Sequence, residues 1–336
     1  MAEVSKNNVT RLLVDAEDEG QRLDNYLLRV CKGVPKSHVY RIIRSGEVRL
    51  NGRRAAASER VKAQDALRIP PIRVAQGQEE IVAGAKIRAS LPILYEDEAL
   101  LAVDKPAGIA VHGGSGVNFG VIEALRRQRP QDTFLELAHR LDRETSGLLL
   151  VAKRRSALKA LHAMFREGGE AGQGADKRYL LLVRGRWMES VRHVGLPLYK
   201  YLLERGEHRG ERRVRVSPDG KPSHTVFRLL ARWERFSLLE ALLRTGRTHQ
   251  IRVHCAHLGF PIAGDEKYGD FALNRSLPKE GLKRMFLHAW KMTLPHPLSG
   301  EEMRLHAPLP GTLRGFLKNL SMREQSDYGQ SDGEVF

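Results

Sequence analysis

The sequence predicts an α+β protein in two parts. One is a small α/β module of two helices and a short sheet over about residues 20–72, and the other is a larger domain on an extensive sheet over about residues 91–320. Three observations predict this. The 336 residues suit about two domains. Positive charge crowds into one segment, where twelve Lys/Arg between Arg29 and Arg73 face only Glu47, Glu59 and Asp65, and so carry nine of the sixteen net positive charges. From Leu91 onward short strands outnumber helices.

Each element has its own signal. Leu23, Tyr26, Leu27 and Val30 recur at helical spacing behind the acidic stretch Asp15–Glu19. Pro35 opens a second helix, with Val39, Ile42 and Ile43 on its apolar side and Ser45-Gly46 as its stop. Val48–Leu50 alternates as a strand, Asn51-Gly52 is a hairpin turn, and Ala66–Ile69 is a last strand before Pro70-Pro71. Residues 73–90, rich in Ala, Gly, Gln and Glu, read as a linker. Beyond it, strands are predicted at Ile93–Tyr95, Leu100–Val103, Gly147–Lys153, Tyr179–Val183, Ser223–Leu230, Ser237–Arg244 and Phe286–Thr293. Helices are predicted at Val121–Gln128, Ser156–Arg166 and His249–Leu258. The Gly168–Gly174 stretch reads as a mobile loop and the polar residues 321–336 as a disordered tail.

Composition narrows the function. Hydrophobic content of 41% excludes wholesale disorder. Cys31 and Cys255 are too few for a disulfide framework or a four-cysteine zinc site, and they suit a reducing, cytoplasmic compartment. The first residues carry no apolar core of a signal peptide, and no apolar run is long enough to span a bilayer. A net charge of +16 points to a polyanionic partner.

Four segments carry candidate chemistry. In His139-Arg140-Leu141-Asp142-Arg143-Glu144-Thr145-Ser146-Gly147, an Asp between two arginines at a loop-to-strand junction is kept ionised and can act as a nucleophile or stabilise a cationic sugar. In Arg244–His254, Thr248 is a candidate N-cap, and Arg247 just before the helix can reach a carboxylate or phosphate. His249 and Arg252 share one face of that helix and Ile251, Cys255 and Leu258 another. The spacing of His249, His254 and His257 does not bring three imidazoles to one side, so no metal site is expected. Lys177–Gly185 is a strand with Tyr179 near its start, and Val111–Gly116 is a Gly-rich loop without a nucleotide-binding pattern. No dinucleotide, kinase or hydrolase signature is present.

On these residues the chain resembles the RluA-type pseudouridine synthases, with an S4 RNA-binding domain at its N-terminal end. His139–Gly147 is similar to the family's catalytic motif, Lys177–Gly185 to its tyrosine motif, and Gly246 to Gly264-Asp265 with Tyr268-Gly269 to a further signature. Gly33-Val34-Pro35-Lys36-Ser37 and Ala110–Gly116 are similar to the subgroup acting on large-subunit (23S) ribosomal RNA. The likeness runs from about Gly20 to Lys318, with the Gly168–Gly174 expansion as its chief departure. It implies a catalytic domain on a large mixed, mainly antiparallel sheet, and isomerisation of uridine to pseudouridine without a cofactor. It implies Asp142 as the essential carboxylate, Tyr179 beneath the base and helping to remove the C5 proton, Arg247 paired with Asp142, and Arg140 filling the space of the flipped uridine. Lys36, Arg41, Arg44, Arg53, Arg54 and His249 are the further RNA-binding candidates. The expected state is a cytoplasmic monomer. The alternatives are a synthase acting on tRNA or other ribosomal sites, and a non-catalytic RNA-binding or ribosome-assembly protein.

Overall fold

Apolar residues at helical and strand periods close the first core. The structure, a computed structural model, describes residues 8–31, 34, 36–72, 91–113, 119–167, 174–203 and 211–329. Two units are distinguished, one within residues 1–88 and 112–124, the other within 89–111 and 125–336. The proposed linker at 73–90 lies outside the described residues, as do residues 168–173 of the Gly-rich stretch and 114–118 of the Gly-rich loop.

In the first unit, strands β1 (Thr10–Leu13), β2 (Arg49–Leu50) and β3 (Ala66–Ile69) form an antiparallel sheet in the order β1-β3-β2. Helices α1 (Leu23–Val30) and α2 (Lys36–Arg44) belong to the same unit, and Leu23, Tyr26, Leu27, Val39, Ile42, Leu50, Leu67 and Ile69 share one buried core. Asn51 and Gly52 both take the positive φ that the hairpin signal requires. The module starts earlier than its predicted boundary near Gly20: Thr10 to Leu13 pairs with Ile69 to Ala66. Four residues are a short signal, and their pairing is long-range.

Helix α3 (Val121–Gln128) has residues 121–124 in the first unit and 125–128 in the second. The second unit is organised on an 11-stranded sheet, with helices α4 (Arg155–Glu167), α5 (Gln250–His257), α6 (Phe271–Glu280) and α7 (Gly311–Arg323) in chain order. The sheet strands are β4 (Ile93–Glu96), β5 (Leu100–Lys105), β6 (Glu136–Leu137), β7 (Ser146–Ala152), β8 (Asp176–Arg184), β9 (Val191–Val194), β12 (Thr225–Arg232), β13 (Phe236–Leu243), β14 (Leu287–Pro295), β15 (Glu302–His306) and β16 (Tyr328–Gly329). Strands β10 (Leu198–Leu202) and β11 (Arg212–Val216) form a separate antiparallel hairpin. The main path runs β16-β12-β13-β8-β14-β7-β5-β4, and only the β14–β7 pairing is parallel. The mixed, mainly antiparallel sheet expected of the family is therefore present.

Every residue of β7 is buried, which accounts for its unbroken apolar run: both of its faces are covered. Where β7 begins, Gly147 pairs with Ala289 at φ +107, and a Cβ there would stand 2.1 Å from the Ala289 carbonyl oxygen. Only glycine permits that approach, and it fixes the sheet one step past the Asp142 loop. The expected tail is corrected in part. Helix α7 runs to Arg323, with Leu313, Phe316, Leu317 and Leu320 buried in the core around Trp233, Phe236 and Trp290. Beyond it, Arg232 and Ala231 pair with Tyr328 and Gly329. Helix α6 was missed because Pro278 lies inside it; Asp270 caps its start through the N–H groups of Ala272 and Leu273.

Candidate active site

The loop between β6 and β7 carries Asp142, and its backbone is tied down before any side chain acts. Leu141 is buried, and the Thr145 N–H donates to the Asp142 carbonyl at 3.1 Å. Lys105, fully buried at the end of β5, donates to the carbonyls of Pro106, Ile109 and Arg143 at 2.8, 2.8 and 3.0 Å. Burial pushes this ammonium down to about 7, while Glu144, Asp142 and Asp104 oppose the shift. One side chain thus gathers the turn after β5 and the Asp142 loop.

The carboxylate is aimed by Arg252, not by Arg247 as the resemblance had it. Arg252 Nη1 donates to Asp142 Oδ2 at 3.2 Å. Its Nε and Nη2 form a bidentate pair with Asp265 Oδ2 and Oδ1, both at 2.8 Å. Asp265 Oδ1 also accepts the N–H groups of Lys267 and Tyr268 at 2.8 and 3.0 Å. Burial pushes the Asp265 carboxyl up, but Arg252 and these two N–H donors outweigh it, and its net shift is below the ordinary 3.8. Burial likewise opposes the Arg252 cation, and the two carboxylates outweigh it and hold the guanidinium charged. The guanidinium also lies 5.2 Å from the Tyr268 ring centroid.

Asp142 Oδ1 has no such commitment: His249 Nε2 stands 3.8 Å away, beyond hydrogen-bond reach. Tyr179 stands on β8 between Ala241 of β13 and Ala289 of β14, two small neighbours. It is 8% exposed, and burial together with the charge of Asp142 pushes its phenol up, so the ring stays neutral. The geometry therefore offers a carboxylate with one oxygen held and, among the described residues, one uncommitted, in the electrostatic reach of a buried neutral ring.

Arg247 belongs to the rim. Its Nε donates to the Pro222 carbonyl at 3.0 Å, its backbone N–H donates to Gln250 Oε1 at 3.0 Å, and it is exposed. The expected N-cap is also corrected: His249, in left-handed backbone at φ 54, takes the position assigned to Thr248 and makes no side-chain cap. Lys200 on β10 is pushed down by burial and by the charges of Arg140, Lys221, Arg212 and Arg247, so these five cations share one neighbourhood. Arg140 is exposed there. His254 faces Ser223, Thr225 and the Leu196 carbonyl, and among the described residues no group of three or more His, Cys, Asp or Glu could hold a metal ion. In the first unit Arg41, Arg44, Arg53 and Arg54 are exposed, Arg53 being paired with Glu59. The side chain of Lys36 lies outside the described residues.

Sequence reasoning missed Lys105 and Asp265 and gave Arg252 no role. The face shared by His249 and Arg252 was the usable signal for Arg252. Asp265 is 13 positions further on, past the end of the helix, and only the tertiary fold joins it to Arg252. Asp265→Asn should cost about 3–5 kcal/mol at neutral pH, because Arg252 is left buried with half its compensation. The sign with pH follows from the lowered carboxyl: its contribution is fully present above 3.8 and is lost as pH falls through the lower folded value. Urea denaturation across pH should show the gap between wild type and Asp265→Asn closing on the acid side.

Residues 99–257 match the RNA pseudouridylate synthase family and residues 21–67 the S4 domain. The chain is 48% identical over 325 residues to a ribosomal large subunit pseudouridine synthase C of Pasteurella multocida (strain Pm70), covering 96% of this chain and 97% of that one. It is 49% identical over 318 residues to the protein of the same name from Escherichia coli (strain K12), covering 93% and 97%. Among solved structures, human RNA pseudouridylate synthase domain containing 1 is similar with a TM-score of 0.57 at 26% identity, covering 78% of this chain and 96% of that one. On these relatives and the two matched domains, the chain belongs to the RluA-type RNA pseudouridylate synthase family and carries an S4 domain ahead of its synthase domain.

Proposed function

We propose that this chain isomerises uridine to pseudouridine at defined positions of large-subunit ribosomal RNA, with Asp142 as the essential carboxylate. The observation that carries the proposal is Asp142 itself, held through Oδ2 by a buried arginine and uncommitted at Oδ1. The substrate assignment is supported by relatives whose names place them on the large ribosomal subunit.

The chemistry follows from those groups. The N1–C1′ bond breaks and its electron pair leaves with uracil. The freed base turns, C5 bonds to C1′, the C5 proton departs and N1 takes up a proton. Atoms and oxidation level are conserved, so the reaction asks for neither redox cofactor nor hydrolytic water. Asp142 Oδ1 serves the sugar, either at C1′ as nucleophile or at the C2′ proton as base. Tyr179, kept neutral, offers a floor for the base, and loss of the C5 proton through it requires a hydrogen-bonded acceptor for its own proton. Extruding the uridine costs a few kcal/mol, which phosphate contacts must offset. The cations near Arg140 and the exposed arginines of the S4 domain are suited to supply them. We place the chain in the cytoplasm as a monomer; no helix among the described residues is long and apolar enough to cross a membrane.

Two outcomes test the reading. Large-subunit RNA carrying tritium at uridine C5 should lose it to water with wild type, and not with a folded, RNA-binding Asp142→Asn. Release by the variant removes Asp142 from the chemistry, and release only from small-subunit RNA or tRNA removes the substrate assignment. Replacing Arg41 and Arg44 together by Ala should weaken RNA binding and reduce its salt slope by about 1.5, the loss of two phosphate contacts. An unchanged slope contradicts their contact with RNA.

A further inference from the structure

His249 faces the Asp142 oxygen that Arg252 leaves uncommitted, and the groups around it bear on where its proton lies. The Val214 N–H on β11 donates to the Tyr268 hydroxyl oxygen at 3.0 Å. That hydroxyl lies 2.8 Å from His249 Nδ1, which is its one acceptor among the described residues. With the phenolic proton directed to that acceptor, Nδ1 is bare and the imidazole proton sits on Nε2. Nε2 is the atom that faces Asp142 Oδ1 at 3.8 Å. The ring is also held edge-on to Tyr268, with centroids 5.4 Å apart. The backbone of His249 is left-handed, a conformation a non-glycine residue adopts only where its surroundings impose it.

We propose that His249 is a positioning residue for Asp142: Tyr268 fixes it as the neutral tautomer with its proton on Nε2, and that proton restrains Oδ1 while the β10–β11 hairpin holds Tyr268 in place. The proposal rests on the synthase reading of Asp142. It moves His249 from the RNA-binding candidates to a role acting through the carboxylate. At 3.8 Å the N–H is too far to bond and thereby quench Oδ1, and a shift of about 1 Å closes the bond. The carboxylate is thus bounded on both sides, by Arg252 at Oδ2 and by the His249 N–H at Oδ1. Around the ring stand Asp142, Asp265, Arg252, Lys267 and Tyr268; burial pushes the imidazolium down to about 4, Arg252 and Lys267 in the same direction and the two carboxylates against it. His249 therefore stays neutral throughout the physiological range. The chain of bonds runs from a backbone donor of the hairpin, whose Lys200 lies among the rim cations, to the His249 ring that faces the carboxylate.

Two measurements test this, and the first needs no activity. Nitrogen NMR of the full-length free enzyme should show His249 with Nε2 protonated and Nδ1 bare near neutral pH. Tyr268→Phe should abolish that single tautomer. A proton on Nδ1 in wild type overturns the assignment whether or not the chain is a synthase. The second compares His249→Gln, whose amide nitrogen can stand near the Nε2 position, with His249→Leu, which bears the same left-handed backbone without a donor. On tritiated large-subunit RNA, His249→Leu should lower kcat about 10- to 100-fold with little change in KM, and His249→Gln should recover much of the loss. Equal loss in both variants, unchanged kcat in His249→Leu, or a rise in KM alone overturns the positioning role. The last would return His249 to RNA contact. Absence of release by wild type would instead count against the synthase reading, and the NMR result would stand apart from it.

Discussion

A guanidinium buried between two carboxylates is the constraint on which the site depends. Arg252 and Asp265 are nearly inaccessible, with side chains 7% and 1% exposed. Removing a cation from water costs several kcal/mol, and a bidentate pair with further N–H donors offsets that cost where a single contact would not. Once locked to Asp265, Arg252 has one nitrogen left for Asp142, and that nitrogen comes from a rigid helix. Asp142 is therefore oriented without being enclosed. The arrangement suits a reaction in which a carboxylate must be charged, directed and still able to reach a sugar.

The rest of the second unit keeps that constraint in register. Gly147 lets β7 approach β14 closely immediately after the Asp142 loop, and Ser146 joins His288 there at 2.8 Å. Lys105 holds the loop through carbonyls rather than through its charge partners. Helix α5 is anchored by Gln250 to Thr225 and the His224 carbonyl, and by His254 to Ser223 and Thr225. These polar residues are buried and bonded, which explains why a helix rich in His, Arg and Gln lies inside the protein.

Much of this was legible in the sequence. The apolar runs of β7 and β8, the Asn51-Gly52 turn and the helix at Val121–Gln128 follow from period and turn chemistry. Asp142 stood out because motif and local chemistry coincide, and Tyr179 through its motif alone. What was not legible is tertiary. Arg247 and Arg252 both flank His249, and nothing local says which one turns inward; the choice is made by Asp265, brought close only by folding. Lys105 reads as an ordinary strand-end lysine until three carbonyls converge on it. The first strand and the Tyr328–Gly329 pairing likewise depend on partners far along the chain.

Arg252, locked to Asp265, aims Asp142, while Arg247 serves the rim. Single-turnover rates on saturating large-subunit RNA for Arg252→Lys and Arg247→Lys test it most directly, with melting curves to show that both variants are folded. A lysine at 252 cannot hold Asp265 bidentately and still reach Asp142. The account predicts a fall of about 100-fold for Arg252→Lys and a near wild-type rate for Arg247→Lys once RNA saturates. A folded Arg252→Lys at full rate, or the larger loss at Arg247, would contradict it.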